Sequence, residues 1–304
     1  MPSRFSSMAI SCASSCLVQN LARLCEPLRE SLLVTPYSPP EAYPHVSVKS
    51  HLLSLLPETS ISEQDTRALI RQFALFCAAL ASASNTTSRH LSWVSDSLSL
   101  QAISTLKEFA RVCCDDDDYF RGNCSIKVGD LELDFSGIVE SEAKFVIKVI
   151  PDVFPLLKDE IKKSSIDADD ENGRNSSASA GVPLAFAVLA ASQFRWLATK
   201  VDAPWIGNLI PFLIPCALTA LDHWSPQVKD QGMMALIHLA KKSKASDFGG
   251  YTDVILDACC RNIVCDDEIW PFSVEMSVLL VTLTQERNPR SQWYAVLFSV
   301  DAIR

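Results

Sequence analysis

In the second half of this chain the helical hydrophobic pattern itself repeats, at a spacing near 45 residues. Pro226 and Pro271 lie 45 positions apart, each just after a tryptophan (Trp224, Trp270) and each opening a helical pattern. In the same register Met233 falls opposite Val278, Met234 opposite Leu279 and Leu236 opposite Val281. Ile150-Pro151-Asp152-Val153-Phe154-Pro155 matches Ile210-Pro211-Phe212-Leu213-Ile214-Pro215 at an offset of 60, and subtracting a polar insertion of about 15 residues restores the same period. Proline is tolerated in the first turn of a helix because that N–H has no intrahelical partner. Each unit therefore reads as helix, short turn, proline-started helix. A two-helix unit cannot bury its apolar face alone, so units stack and share one core.

A period of 40 to 47 with two helices per unit is the HEAT and armadillo signature, and the expected fold is an all-α solenoid of such repeats. The units are placed at 141–200, 205–243 and 250–287 within a repeat region 141–304. Ahead of it a helical region is expected at 15–114, after a flexible N-terminus 1–14. Leu17, Leu21, Leu24, Leu28 and Leu32 make one helix face, and Leu69, Phe73, Phe76 and Leu80 make another. Ser60 with Glu63 fits a capping box before the second. Ile103, Leu106, Ala110 and Cys113 continue the pattern. It stops at Asp115–Asp118, whose like charges favour solvent. The segment 115–140 reads as an exposed acidic loop with one short strand around 130–135. The segment 164–181, rich in Ser, Asp, Asn and Gly, reads as a disordered insertion.

Composition narrows the function. Glycine supplies 9 of 304 residues, too few for glycine-rich phosphate loops or for most doubly wound nucleotide folds. The net charge of −9 is the wrong sign for holding phosphate backbones, so nucleic acid is not an expected partner. The most apolar run, Val182–Ser192, is too short to span a bilayer. The first 25 residues are Ser-rich and lack acids, as transit peptides are, but the leucine stripe inside them favours an ordinary amphipathic helix.

No catalytic constellation is visible. There is no G-x-S-x-G, H-E-x-x-H or Walker motif, and the five histidines are scattered. The eleven cysteines contain no C-x-x-C pair, and Cys77, Cys216, Cys259 and Cys260 fall on apolar stretches, so they read as thiols of a reducing compartment rather than zinc ligands. The Asp115–Asp118 run lacks the alternating oxygens and fixed glycine of a calcium loop. The chain is expected to be non-enzymatic, with no metal and no cofactor. Tryptophan, by contrast, is concentrated in the repeat half (Trp196, Trp205, Trp224, Trp270, Trp293), and tryptophan is enriched at binding hot spots. Trp224 and Trp270 are the best exposed candidates because they sit in turns.

Leu221-Asp222-His223-Trp224-Ser225-Pro226-Gln227-Val228-Lys229, followed by Leu236 and Leu239, resembles the HEAT motif of Leu-Asp-Asp, Pro, Val-Arg and a Leu pair. His223 replaces the second Asp, Lys229 replaces Arg, and Gly232 stands where Ala is common, which puts the internal Asp–Arg ladder of HEAT stacks in question. More narrowly, Pro211–His238 and Trp270–Leu280 resemble the family of the second Tel-two-interacting protein, over about residues 140–304. That resemblance implies a scaffold subunit of the Triple T complex, a cochaperone acting with Hsp90 on phosphatidylinositol-3-kinase-related kinases. Its implied partners are the other Triple T subunits and, through them, Hsp90 and those kinases, in the cytoplasm and extending to the nucleus. An unrelated HEAT adaptor in transport or phosphatase scaffolding fits the bare period equally. The family is usually longer, and this chain stops in mid-pattern. Its last stripe, Trp293, Val296, Leu297, Val300 and Ile303, has no helix after it, so a further repeat or a partner subunit is expected to cover it. Trp293 and Leu297 join Trp224 and Trp270 as candidate partner-binding residues.

Overall fold

A computed structural model describes residues 5–38, 47–56, 66–85, 90–115, 125–128, 131–134, 138, 140–164, 184–265, 267–284 and 293. The chain divides into two compact units, 1–153 and 154–304. Apart from one two-stranded hairpin, the regular structure of the described residues is helical.

In the first unit, α1 (Phe5–Val34), α2 (Val48–Ser54), α3 (Thr66–Ser82) and α4 (Asp96–Asp115) precede a hairpin of β1 (Ser125–Val128) and β2 (Leu131–Asp134) and the opening of α5 (Ser141–Lys163). α1 starts at Phe5, inside the stretch 1–14 that reads as a flexible N-terminus. Leu17, Leu21, Leu28 and Leu32 are buried on its inner face. Leu24 is only half-buried, because Cys25 takes the core position beside it. α3 packs against α4 and α1. Every residue from Phe76 to Ser82 is buried, which is why alanine dominates there: small side chains let neighbouring helices close on all sides. Phe109 ties the core together edge-on, with ring centroids 5.0 Å from Phe73 and 5.7 Å from Phe145. Since α3 opens at Thr66, the Ser60–Glu63 capping box lies outside the described residues, as does the acidic run beyond Asp115.

The acidic excursion holds two strands rather than one. Ile126 pairs with Leu133 and Val128 with Leu131 in antiparallel register. A lone strand would leave its backbone groups unmatched, and Ser-Ile-Lys-Val supplies the partner although it is too short for its alternation to stand out in the sequence.

The second unit holds the end of α5, then α6 (Leu184–Ala198), α7 (Ile206–Leu221), α8 (Pro226–Lys242), the single turn α9 (Ala245–Phe248), α10 (Thr252–Cys265) and α11 (Trp270–Thr284). The paired motifs behave alike. Ile150, Val153 and Phe154 in α5, and Ile210, Leu213 and Ile214 in α7, are all buried. Pro155 and Pro211 face outward, where the hydrogen bonds a proline forfeits can be made to water. Pro226 opens α8, and Pro271 is the second residue of α11. α7 packs on α8, α10 on α11, and α8 also packs on both α6 and α11.

Gly232 explains one departure from the HEAT motif. A Cβ at this position would come within 2.8 Å of the Ala220 Cβ and 3.0 Å of the Ala217 carbonyl oxygen. The close crossing of α7 and α8 therefore requires glycine. Alanine would gain about 1 kcal/mol of helix propensity, but overpacking against a neighbouring backbone costs about 1–3 kcal/mol. Gly232→Ala is expected to lose a net 1 kcal/mol or so in denaturant unfolding, despite improving the local propensity. A stabilised Gly232→Ala variant would contradict this crossing.

Candidate interaction edge

The turn 222–225 between α7 and α8 is built around His223, which is fully buried. Its Nδ1 accepts the Ser225 backbone N–H at 3.0 Å, which leaves the neutral ring's proton on Nε2. That Nε2–H lies 3.0 Å from the Ser164 hydroxyl oxygen and donates to it, while Ser164 Oγ donates to the Ile161 carbonyl. Trp224 stacks on the imidazole, with centroids 5.5 Å apart, and donates its indole N–H to the Ser164 carbonyl at 3.1 Å. Burial, reinforced by the Lys229 charge, lowers the His223 pKa to about 4. The latch thus closes the C-terminal end of α5 onto the α7–α8 turn.

This corrects the reading of 164–181 as disordered from its first residue. Ser164 is completely buried and bonded to both members of the His223–Trp224 pair, whereas 165–181 lies outside the described residues. The composition of the segment hides this, since nothing local marks one serine of a Ser-Ser pair as a partner for a histidine 59 residues away.

Trp224 keeps 44% of its surface exposed although its N–H is engaged, so it presents an apolar ring at the edge while serving the fold. Trp270, expected to be exposed in a turn, is instead the first residue of α11, after the equivalent turn, and is half-buried because it joins that helix's packing. The two turns are neighbours because the ends of α7 and α10 are tied together. Arg261 on α10 reaches Asp222 at 3.2 Å while also pairing with Asp257, and Asn262 donates to the Leu221 carbonyl. Asp222 does therefore meet an arginine, supplied by the following helix pair rather than by position 229. The ions are more than half exposed, so this contact orders the turns more than it stabilises them.

Trp293 stands apart from that edge. Half-buried, it donates its indole N–H to Asp253 at 2.8 Å. Asp253 lies nine residues from Asn262, about 13 Å along α10. Of the four candidates, then, Trp224 and Trp270 share one edge, Trp293 sits at the opposite end of α10, and Leu297 lies outside the described residues.

Polar bridges line the second helices of successive pairs. Arg195 on α6 donates to Gln231 on α8, and Gln231 donates to Asp230, whose partial burial raises its pKa. Lys241 on α8 pairs with Glu275 on α11 at 2.8 Å. The buried thiols are unreactive: desolvation pushes Cys25 and Cys259 up to about 12 and raises Cys77 and Cys216 as well, so all four stay protonated near neutrality. His238 sits 3.2 Å from the Val201 carbonyl, a packing contact between helix and loop. Among the described residues no group of three His, Cys, Asp or Glu side chains is placed to hold a metal ion. None of the helices searched is long and apolar enough to cross a membrane.

Comparison with known proteins adds one relative. An uncharacterized protein of Arabidopsis thaliana is 46% identical over 281 residues, covering 92% of this chain and 62% of that protein. The chain therefore spans less than two thirds of its relative's length. No family model matches the chain, and no solved structure matches it.

Proposed function

We propose that this chain is a non-enzymatic scaffold of stacked HEAT-like units, acting as a subunit of the Triple T cochaperone complex and supporting Hsp90-dependent maturation of phosphatidylinositol-3-kinase-related kinases. The observation that carries the scaffold reading is the packing of α8 on both α6 and α11. Second helices of successive pairs contact one another directly, as they do when units stack. The likeness of Pro211–His238 and Trp270–Leu280 to the second Tel-two-interacting protein supplies the complex. Trp224 is the residue offered to a partner, because an exposed ring next to a rigid turn gives area at little entropic cost, and half-buried Trp270 lies beyond the following turn.

Purification of the tagged chain from its own cells, with quantitative mass spectrometry, tests this. The other Triple T subunits and Hsp90 are expected above a tag-only control, and Trp224→Ala is expected to reduce them at least several-fold. Recovery of a transport or phosphatase complex in their place would shift the assignment to an unrelated HEAT adaptor. An equal yield of the Triple T subunits with Trp224→Ala would remove this edge from the interface.

A further inference from the structure

We propose that Ser164 and His223, both fully buried and out of a partner's reach, are positioning residues that hold the exposed ring of Trp224 in its docking orientation. The inference deepens the proposed function and rests on it for the partner, though not for the geometry.

The turn 222–225 alternates: Asp222 and Trp224 are exposed, while His223 and Ser225 are buried. An outward side chain in a turn ordinarily rotates about two torsions. Here both are fixed. The imidazole of His223 lies against one face of the indole, 27° from parallel with centroids 5.5 Å apart, and sets the plane of the ring. The indole N–H donates to the Ser164 carbonyl at 3.1 Å and sets its direction. That carbonyl is open to Trp224 because α5 ends at Lys163. A carbonyl in mid-helix is taken by the N–H four residues on, whereas those at a helix end have no intrahelical partner. His223 in turn is held at both nitrogens, by the Ser225 N–H inside the turn and by the Ser164 hydroxyl at the end of α5, each at 3.0 Å. The hydroxyl is itself anchored on the Ile161 carbonyl at 3.3 Å. One residue therefore fixes the imidazole through its side chain and the indole through its backbone. A ring ordered before contact spares the partner the cost of immobilising it, about two- to tenfold in affinity for one side chain.

Exchange of indole protons in the whole chain tests the geometry. The Trp224 signal is the one of six that disappears in Trp224→Phe, and it is expected to exchange at least about tenfold more slowly than free tryptophan. His223→Asn is the deciding variant. Its amide oxygen sits where Nδ1 does and accepts the Ser225 N–H, as side-chain amides do in turns, but the side chain is too short to reach Ser164. Trp224 is expected to lose its protection in His223→Asn, and recovery of the Triple T subunits in the purification should fall about two- to tenfold although the tryptophan is intact. Ser164→Ala, which removes only the hydroxyl, should move both readouts in the same direction. Gly232→Ala, which strains the α7–α8 crossing away from the turn, should move neither. Full protection of Trp224 in His223→Asn would overturn the proposal, because the turn alone would then orient the ring. So would accelerated exchange in Gly232→Ala, or unchanged recovery by a chain whose indole has lost its protection. If the wild-type chain recovers no Triple T subunits, the proposed function fails, and the indole rates alone decide the latch.

Discussion

Leu236→Asp and Leu213→Asp are each expected to lower the thermal midpoint of the second unit by about 10–20 °C, corresponding to roughly 5 kcal/mol. Leu213 on α7 and Leu236 on α8 are both completely buried. These helices pack on each other, and α8 also meets α6 and α11. Truncating a buried leucine alone costs about 2–5 kcal/mol, and a carboxylate left there without a partner adds a desolvation cost that the site cannot offset. Against a domain stability of about 5–15 kcal/mol, that is a large share. Leu236→Met is the control, since a swap of similar volume should cost less than about 1.5 kcal/mol. Calorimetry on the three variants checks the prediction. Wild-type midpoints for both aspartate variants would mean that α7 and α8 do not form a shared core.

His223→Ala is expected to cost about 3 kcal/mol at pH 7.5, a cost that shrinks as the solution is acidified. The substitution leaves the buried Ser225 N–H and the Ser164 hydroxyl without their partner, removes the ring stacked on Trp224 and opens a cavity. The pH dependence follows from linkage. Folded His223 titrates at about 4, below the 6.5 of the unfolded chain, so between those values the unfolded state binds more protons. The stabilisation is complete above about pH 6.5 and disappears as the pH falls toward 4. Over that window the gap between wild type and His223→Ala should narrow by up to about 3 kcal/mol. Taking the difference removes the contribution of Asp230, whose raised pKa acts in the opposite direction in both proteins. Urea unfolding at several pH values measures the gap, and a gap that stays constant from pH 7.5 to 4.5 would show that His223 is not held neutral by its surroundings.

The helical pattern of the second half rests on local chemistry. Periodicity alone located the helices of the second half, because a stripe at i, i+3, i+4 can be buried only by a helix and a proline just past a turn marks where one starts. Ile210, Leu213 and Ile214, which repeat Ile150, Val153 and Phe154 at an offset of 60, are buried. The candidate edge was legible only in part. A tryptophan in a turn predicts exposure, and Trp224 is exposed, but its bond to the Ser164 carbonyl could not be read from the turn itself.

What the sequence by itself determined is therefore what depends on neighbours along the chain: helix positions, inward faces, proline starts and the near-45 spacing. What only the tertiary structure decided depends on residues far apart in sequence. His223 in place of the motif's aspartate has meaning once Ser164 is beside it, 59 positions earlier. Gly232 in place of alanine has meaning once Ala217 and Ala220 press against it. Asp222 finds its arginine at position 261 rather than 229. The separation of Trp293 from Trp224 and Trp270 follows from the length of α10 and the end of it that each one meets. Helix stripes are set by the local 3.6-residue period, whereas hydrogen-bond partners and close crossings are set by which surfaces packing brings together, and no single stretch of sequence carries that information.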